Sequence, residues 1–184
     1  FLKDNIKKLI EDDVQIQSSG EIRVWSAACS TGEEPYTLAM VLSECVPPEY
    51  RVRILATDIS PGSLRIAMNG IYHRTNADTM GLYYKNKYFR KFDEEHYIAS
   101  DQLKSMITYR SFNLLHKFPF KGRFDIIFCR NVMIYFDQET QTSILDKMYE
   151  CTADKGYFVI GMSEGLLTKK QKFKFVQPSV YWKA

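Results

Sequence analysis

Two adjacent carboxylates, Glu33 and Glu34, follow a turn of small residues, Ala27-Ala28-Cys29-Ser30-Thr31-Gly32. A dinucleotide-binding turn would need the pattern G-x-G-x-x-G, whereas this turn contains a single glycine. Two carboxylates repel a diphosphate and attract a cation, so a sulfonium and ammonium ligand such as S-adenosylmethionine is the better match. The alternative is that both carboxylates only complement the dipole of the helix that follows.

Polar residues also follow three further predicted strands, at the sheet edge where open α/β folds bind ligands. Asp58 could accept hydrogen bonds from both hydroxyls of a ribose, or it could cap the next helix. Asn113 and Leu114 could present an amide and backbone groups to an adenine edge, although asparagine is also a common turn residue. The last candidates follow the fourth strand of the main sheet: Arg130, Asn131 and Tyr135. Here the asparagine could instead be a cap and the tyrosine a packing residue.

Other kinds of site are not indicated. The four cysteines form no CxxC pair and the three histidines no HExxH or HxH pattern, so we expect neither a metal centre nor a disulfide framework. The formal charge of +3 is spread along the 184 residues, unlike the basic stripe of a nucleic-acid-binding protein. No apolar run approaches the roughly 20 residues of a membrane span, and the N-terminal pattern is not a secretory signal. We therefore expect a cytoplasmic protein.

Strands and helices that alternate along the chain must position these residues. Apolar residues at helical spacing predict helices over 1–10, 36–42, 60–70 and 137–152. Apolar runs predict strands over 21–25, 51–56, 107–112, 124–129, 156–161 and 173–182. The β-α-β-α order is typical of an α/β fold with a mostly parallel sheet and right-handed crossovers. The last two strands, joined by the polar loop 168–172, predict an antiparallel hairpin at the sheet edge, and 11–20 is predicted to be a loop.

The alternation of strands and helices is interrupted between residues 71 and 106, a segment that contains seven tyrosines and phenylalanines. This segment predicts a small inserted subdomain of a helix and short antiparallel strands. The main domain would then comprise residues 1–70 and 107–184. The apolar helical pattern begins at Phe1 with no cap before it, which indicates a piece of a longer chain.

Several runs resemble the CheR chemotaxis methyltransferases. They are VWSAACSTGEEPY at 24–36, ATDI at 56–59, NLL at 113–115, FDIIFCRNVMIYF at 124–136 and GMSE at 161–164, the last similar to the family's G-x-[ST]-E run. The resemblance implies a class I, Rossmann-like S-adenosylmethionine-dependent methyltransferase. It also implies esterification of glutamate side chains on methyl-accepting chemotaxis receptors, with S-adenosylhomocysteine as the second product.

The resemblance implies roles for individual residues. Glu34 would hold the methionine amine, Asp58 the ribose, Asn113 and Leu114 the adenine, and Cys129 and Arg130 would line the cofactor cleft, with Tyr135 beside the reacting methyl group. Because a glutamate carboxylate is already ionised at neutral pH, no strong general base is needed. Tyr135 and Arg130 are then expected to act in catalysis by positioning.

The chain departs from the family at its start. CheR proteins carry a helical N-terminal domain and a linker with an F-[FY]-R motif whose arginine lies at the active site. Here the nearest string is Phe1-Leu2-Lys3-Asp4, so the arginine lies outside this sequence or Lys3 takes its place. One alternative is therefore a fragment that binds cofactor or receptor without activity. The other is a different class I methyltransferase that acts on RNA or a small molecule. A cluster of lysines and arginines around the cleft would favour the second alternative, and the sequence shows no such cluster.

The inserted segment is a second departure. In some family members it binds a pentapeptide at the receptor C-terminus as an added strand, and those members carry a glycine-rich loop there. This chain has FRKFDEEHY at 89–97, which contains no glycine. We therefore expect pentapeptide binding to be weak or absent, and the aromatic cluster to form the small core of the insertion.

Overall fold

Ten strands in two sheets, flanked by helices, make up the part of the chain that the computed structural model describes, which is residues 1–162, 164 and 172–184. The strands are β1 Glu21–Ala27, β2 Arg51–Asp58, β3 Ile71–His73, β4 Phe89–Lys91, β5 His96–Ala99, β6 Ile107–Ser111, β7 Phe124–Cys129, β8 Thr152–Ile160, β9 Lys174–Gln177 and β10 Val180–Trp182. The helices are α1 Leu2–Asp12, α2 Val14–Ser19, α3 Glu33–Cys45, α4 Pro61–Asn69, α5 Arg74–Asp78, α6 Leu82–Tyr88, α7 Asp101–Met106 and α8 Gln138–Cys151, with a 3₁₀ turn at Met133–Tyr135. No helix among these residues is long and apolar enough to cross a bilayer.

The main sheet has the strand order β6-β2-β1-β7-β8-β10-β9. Its first five strands run parallel, and β10 and β9 are antiparallel at one edge. The order reverses between β1 and β7, which is the place where open α/β sheets bind ligands. The predicted α/β fold, mostly parallel with an antiparallel edge hairpin and a separate small antiparallel sheet, is confirmed.

Both faces of this sheet are buried, as a parallel sheet covered by helices requires. Along β1, Ile22 and Val24 pack into one core with α1 and α3, whereas Trp25 and Ala27 pack into the other with α8. All four side chains are inaccessible to solvent. The centre of the sheet is therefore fixed from both sides, and the loops at its carboxyl edge start from rigid positions.

The polar segment 11–20 is not a loop throughout, and the prediction of one was wrong there. Asp13 accepts hydrogen bonds from the amides of Gln15 and Ile16 at 2.7 and 3.1 Å and so caps α2. Gly20 ends the helix with φ of 63°. Ile16 is buried in the core, and this single apolar anchor was too weak a pattern to indicate a helix in the sequence.

The C-terminal hairpin also differs from the prediction of one strand over 173–182. The chain turns at Pro178 and Ser179, where Ser179 has φ of 66°, and forms two strands instead. β10 pairs with both β8 and β9, so the hairpin is β9–β10. Most of the predicted loop 168–172, residues 168–171, lies outside the described residues, as does Ser163.

The segment 71–106 contains the small antiparallel sheet β3-β5-β4 and three short helices rather than one. Its buried aromatic residues do not form a separate core. Tyr72, Tyr88 and Phe89 belong to the same hydrophobic cluster as Tyr36 of α3. Glu44 of α3 also accepts a hydrogen bond from the Tyr88 hydroxyl at 2.7 Å, so the small sheet is fastened to α3.

Candidate functional site

A cavity of about 1170 Å³ opens at the carboxyl edge of the main sheet, where the sequence analysis placed its candidates. Its walls come from the loops after β1, β2, β6 and β7 and from the start of α1. Six of the predicted site residues line it: Glu34, Asp58, Asn113, Leu114, Arg130 and Tyr135. Residues far apart in the chain thus meet in one cavity large enough for a nucleoside-sized ligand.

Cys129 is the predicted site residue that does not line the cavity. Its side chain is fully buried among Trp25, Ile127 and Phe158 in the core beneath α8. Burial raises the pKa of its thiol, with the charges of Glu164 and Glu34 adding to the effect. The expectation that this side chain lines the cleft is therefore not supported, and it acts as a small packing residue. The reason is strand alternation, which turns Cys129 to the face opposite Phe128.

The turn after β1 is tightly constrained. Ala28 and Ser30 have φ of 58° and 49°, in the left-handed region, and Gly32 has φ of 95°. A Cβ atom on Gly32 would lie 2.7 Å from the Cβ of Ala67, so only glycine fits where the turn meets α4. The Cys29 amide donates to the Thr57 carbonyl at 2.9 Å. This strained turn brings the first turn of α3, and with it Glu34, to the cavity.

Glu34 is largely buried beside the cavity and has two polar partners. The Ser26 hydroxyl donates to one carboxylate oxygen at 2.7 Å, and the Arg130 guanidinium donates to the other at 3.3 Å. Burial raises the pKa of Glu34, while the Ser26 hydrogen bond and the charge of Arg130 oppose that rise. Ser26 and Arg130 therefore fix the orientation of the Glu34 carboxylate at the N-terminal end of α3.

Asp58 organises two backbone segments. Its carboxylate accepts hydrogen bonds from the Ser30 and Ser60 amides, each at 2.8 Å. The cap of α4 is Ser60, whose hydroxyl accepts from the Ser63 amide at 3.2 Å. Because a carboxylate has about four acceptor positions and only two are used, Asp58 keeps capacity to accept from a ligand.

The loop after β6 is held by Asn113 and by a lysine from α8. The Leu115 amide donates to the Asn113 side-chain oxygen at 2.9 Å. Asn113 is therefore a turn residue, which was one of its two possible roles. Lys147 donates to the carbonyls of Leu114, Leu115 and His116 at 2.8, 3.3 and 3.2 Å. Burial lowers the pKa of this lysine.

The segment after β7 turns sharply into the cavity wall. Asn131 has φ of 57°, and the 3₁₀ turn that follows leaves the Tyr135 side chain 78% exposed at the mouth. The Gln141 side-chain amide donates to the carbonyls of Met133 and Phe136 at 3.0 Å each. Tyr135 is therefore not a packing residue: its ring is presented to solvent on a fixed turn.

Residues 2–182 match the family model described as CheR methyltransferase, SAM binding domain. The chain belongs to the CheR methyltransferase family.

Three relatives in this family are 36% to 38% identical to the chain over the aligned residues. The chemotaxis protein methyltransferase of Borreliella burgdorferi is 38% identical over the whole chain, which covers 66% of that protein. Chemotaxis protein methyltransferase 2 of Pseudomonas aeruginosa is 36% identical over 91% of the chain, and the Escherichia coli protein 37% over 89%. The chain spans 61% and 59% of those two proteins. Among solved structures, PKMT2 from Rickettsia typhi superposes with a TM-score of 0.49 at 16% identity, over 77% of this chain and 21% of that one.

In this CheR domain the main sheet is the class I S-adenosylmethionine-dependent methyltransferase fold, and the cleft lies at its switch point. The carboxylates of the cleft fit the cofactor. Glu33, Glu34 and Asp58 line it together, so it suits a ligand with positive sulfonium and ammonium groups and repels a diphosphate.

Four residues that hold the loops around the CheR cleft are not indicated as site residues by the sequence: Ser26, Gln141, Lys147 and Glu164. Ser26, Gln141 and Lys147 gave no signal, because a serine in a strand and polar residues on a helix are ordinary. Glu164 belongs to the GMSE run already noted for its resemblance to the family. The start of α1 also lines the cavity, including Lys3.

Proposed function

We propose that the protein transfers the methyl group of S-adenosylmethionine to glutamate side chains of chemoreceptors, in the cytoplasm, with S-adenosylhomocysteine as the second product. One observation carries this proposal: an acidic cofactor cleft and an exposed tyrosine and arginine share one cavity in a CheR domain. The relatives named above, which are chemotaxis protein methyltransferases, support the same reaction.

Bound S-adenosylmethionine supplies an electrophilic methyl group on a positively charged sulfur. We assign Glu34 to the ammonium group, because its carboxylate is oriented by Ser26 and largely shielded from water. Asp58 accepts from the ribose hydroxyls with its spare lone pairs. Asn113 and Leu114 border the adenine, on a loop that Lys147 holds in place.

The acceptor is a carboxylate that is already ionised at neutral pH, so the protein does not need to remove a proton from it. Placement of the acceptor oxygen and exclusion of water must then supply most of the rate. Tyr135 stands at the mouth, where its exposed side chain can reach an incoming carboxylate and its hydroxyl can donate to it. Arg130, 41% exposed beside Glu34, adds a positive charge that attracts the same group.

Two features bear on partners. Lys3 lines the cavity wall, and its ammonium group lies 5.4 Å from the centre of the Tyr84 ring. In the inserted segment, which we propose as a subdomain over 71–106, Asp93 accepts from the amides of Glu95 and His96 at 2.8 and 2.9 Å. The β4–β5 turn is thus short and closed. This supports weak or absent binding of a receptor-derived pentapeptide.

A transfer assay tests the proposed function. Tritiated S-adenosylmethionine is incubated with receptor-containing membranes and either the intact protein or this chain alone, and base-labile label is measured on the receptor band. We expect label from the intact protein. Label on RNA or on a small acceptor, with none on receptor, would overturn the proposal. Cofactor binding without transfer by the chain alone would instead identify the chain as the binding portion of the enzyme.

A further inference from the structure

The carboxylate of Glu164 lies at the end of β8 and accepts three backbone hydrogen bonds. The amides of Asn131 and Gly161 donate to one oxygen and the amide of Met133 to the other, each at 2.8 Å. The Glu164 amide in turn donates to the Gly161 carbonyl at 3.1 Å. Only 7% of this residue is exposed. A buried carboxylate therefore joins the ends of two neighbouring strands.

Among the residues that the structure describes, the hydrogen-bond donors to this carboxylate are backbone amides, and no lysine or arginine forms an ion pair with it. Three hydrogen bonds from backbone amides fix both oxygens of the carboxylate in place. The site is built for this group. A Cβ atom on Gly161 would lie 2.4 Å from the Asn131 side-chain oxygen and 2.7 Å from Glu164.

The three donors connect Glu164 to the wall of the cleft. Asn131 and Met133 flank Val132 and lie between Arg130 and Tyr135, the two residues assigned to the acceptor. Asn131 has φ of 57°, a conformation that most residues avoid and that needs support from its surroundings. The Gln141 amide holds the carbonyl side of the same segment, and Glu164 holds its amide side.

We propose that Glu164 is a positioning residue for methyl transfer, which fixes the segment 130–135 so that Arg130 and Tyr135 meet the acceptor carboxylate. It acts through the backbone and touches neither cofactor nor acceptor. This inference rests on the proposed function. If it is correct, Glu164 contributes to the rate of transfer much more than to cofactor binding or to global stability.

The variant Glu164→Gln tests the role with almost no change in size. A glutamine offers one acceptor oxygen and places an NH₂ group against at least one of the three amides. In the intact protein we expect kcat for receptor methylation to fall roughly tenfold or more, since small displacements of positioning groups are costly. We expect the KM for S-adenosylmethionine to change less than about threefold. Glu150→Gln, on the exposed face of α8, is the matched control and should keep wild-type kcat.

Amide hydrogen exchange supplies a second measurement that does not depend on activity. In Glu164→Gln the amides of Asn131, Met133 and Gly161 should exchange faster, while those of β1 and β7 stay protected. A merely structural role would instead give faster exchange throughout the sheet, and kcat would fall only in proportion to the folded fraction. That result would overturn the proposal. An unchanged kcat would overturn it too. If the wild-type protein methylates no receptor, the proposed function fails. Amide exchange at residues 131, 133 and 161 and the affinity for S-adenosylmethionine then still show whether Glu164 holds this segment.

Discussion

Arg130 and Glu34 meet across the cleft, with a guanidinium nitrogen 3.3 Å from a carboxylate oxygen. The pair joins the segment after β7 to the first turn of α3, although 96 residues separate the two in the chain. Under the proposed function, the pair places the anion assigned to the ammonium group of the cofactor next to the cation assigned to the acceptor carboxylate. The charge of Arg130 opposes the rise in the pKa of Glu34 that burial causes.

We expect Glu34→Gln to weaken cofactor binding. The glutamine keeps an oxygen for the Ser26 hydroxyl but loses the negative charge offered to the ammonium group. A lost hydrogen bond to a charged group costs about 1.5 to 3 kcal/mol, which corresponds to roughly ten- to hundredfold in affinity. Titration calorimetry with S-adenosylhomocysteine measures the change. Glu49→Gln, exposed just before β2 at the opposite edge of the sheet, should leave the affinity intact. Equal affinity in both variants would exclude the assigned role of Glu34.

Tyr135→Phe should slow methyl transfer and leave cofactor affinity nearly unchanged, because the exposed hydroxyl is assigned to the acceptor and not to the cofactor. A loss of about 1 to 1.5 kcal/mol of transition-state stabilisation would lower kcat roughly tenfold. Transfer kinetics and calorimetry on the same preparation separate the two effects. Tyr50→Phe, distant from the cleft, is the control. Calorimetry that shows an equal loss of cofactor binding would refute this role.

The sequence predicted which residues meet at one sheet edge better than it predicted the details of the fold. Strand ends are readily located from apolar runs, and parallel topology then requires Glu34, Asp58 and Arg130 to share one edge. What could not be predicted depends on tertiary contacts. Lys147 donates to three carbonyls and Glu164 accepts from three amides, and these hydrogen bonds join segments that are distant in the chain. No local sequence pattern indicates such contacts.

Face assignment was the other limit. Cys129 ends a strand whose neighbours are buried on both sides, so an apolar run alone does not show which face each residue takes. The structure turns it into the core beneath α8. The division of residues 173–182 into two strands was not predicted for a local reason: a continuous β-prone run concealed the turn at Ser179, which depends on a left-handed backbone conformation.

Asp125 should make the fold less stable at higher pH. Burial raises its pKa to about 6, and the nearby charge of Asp13 adds to the rise. Because the folded state holds this proton more tightly than the unfolded state, the carboxyl favours folding at low pH and that stability is lost as pH rises through about 6. Between pH 5 and pH 8 the loss from this group is about 1.4 kcal/mol.

Asp125→Asn should remove that component, since an amide oxygen can still accept from the Arg23 amide, which donates to Asp125 at 2.6 Å. Urea unfolding of both proteins at pH 5 and pH 8 measures it as the difference between the two pH dependences. Asp154→Asn, an exposed change, should keep the wild-type dependence. Parallel curves for wild type and Asp125→Asn would contradict the raised pKa.

Gly32→Ala should destabilise the protein and weaken cofactor binding together. The backbone there has φ of 95°, and a Cβ atom would come within 2.8 Å of the Tyr72 hydroxyl as well as of Ala67. Strain and displacement of the turn should lower the free energy of unfolding by about 1 to 3 kcal/mol, measured by urea unfolding. Gly62→Ala in α4 is the control: its φ is not in the left-handed region and its nearest neighbour is 3.7 Å away. That change should be neutral or slightly stabilising. Equal effects of the two substitutions would show that the turn is not constrained as described.

The small sheet should not bind a receptor-derived pentapeptide tightly. Residues 89–97 contain no glycine, so the glycine-rich loop found in the family members that bind the peptide is absent here. The β4–β5 turn is closed by Asp93, and the Arg74 amide donates to the Glu95 carbonyl at 2.7 Å, so part of this turn is already paired. Calorimetric titration of the intact protein with the peptide should show no micromolar binding, and inserting a glycine-rich loop at 92–95 should not impair methylation of receptors that lack the peptide. Micromolar affinity in the unmodified protein would show that the edge accepts a strand without a glycine-rich loop.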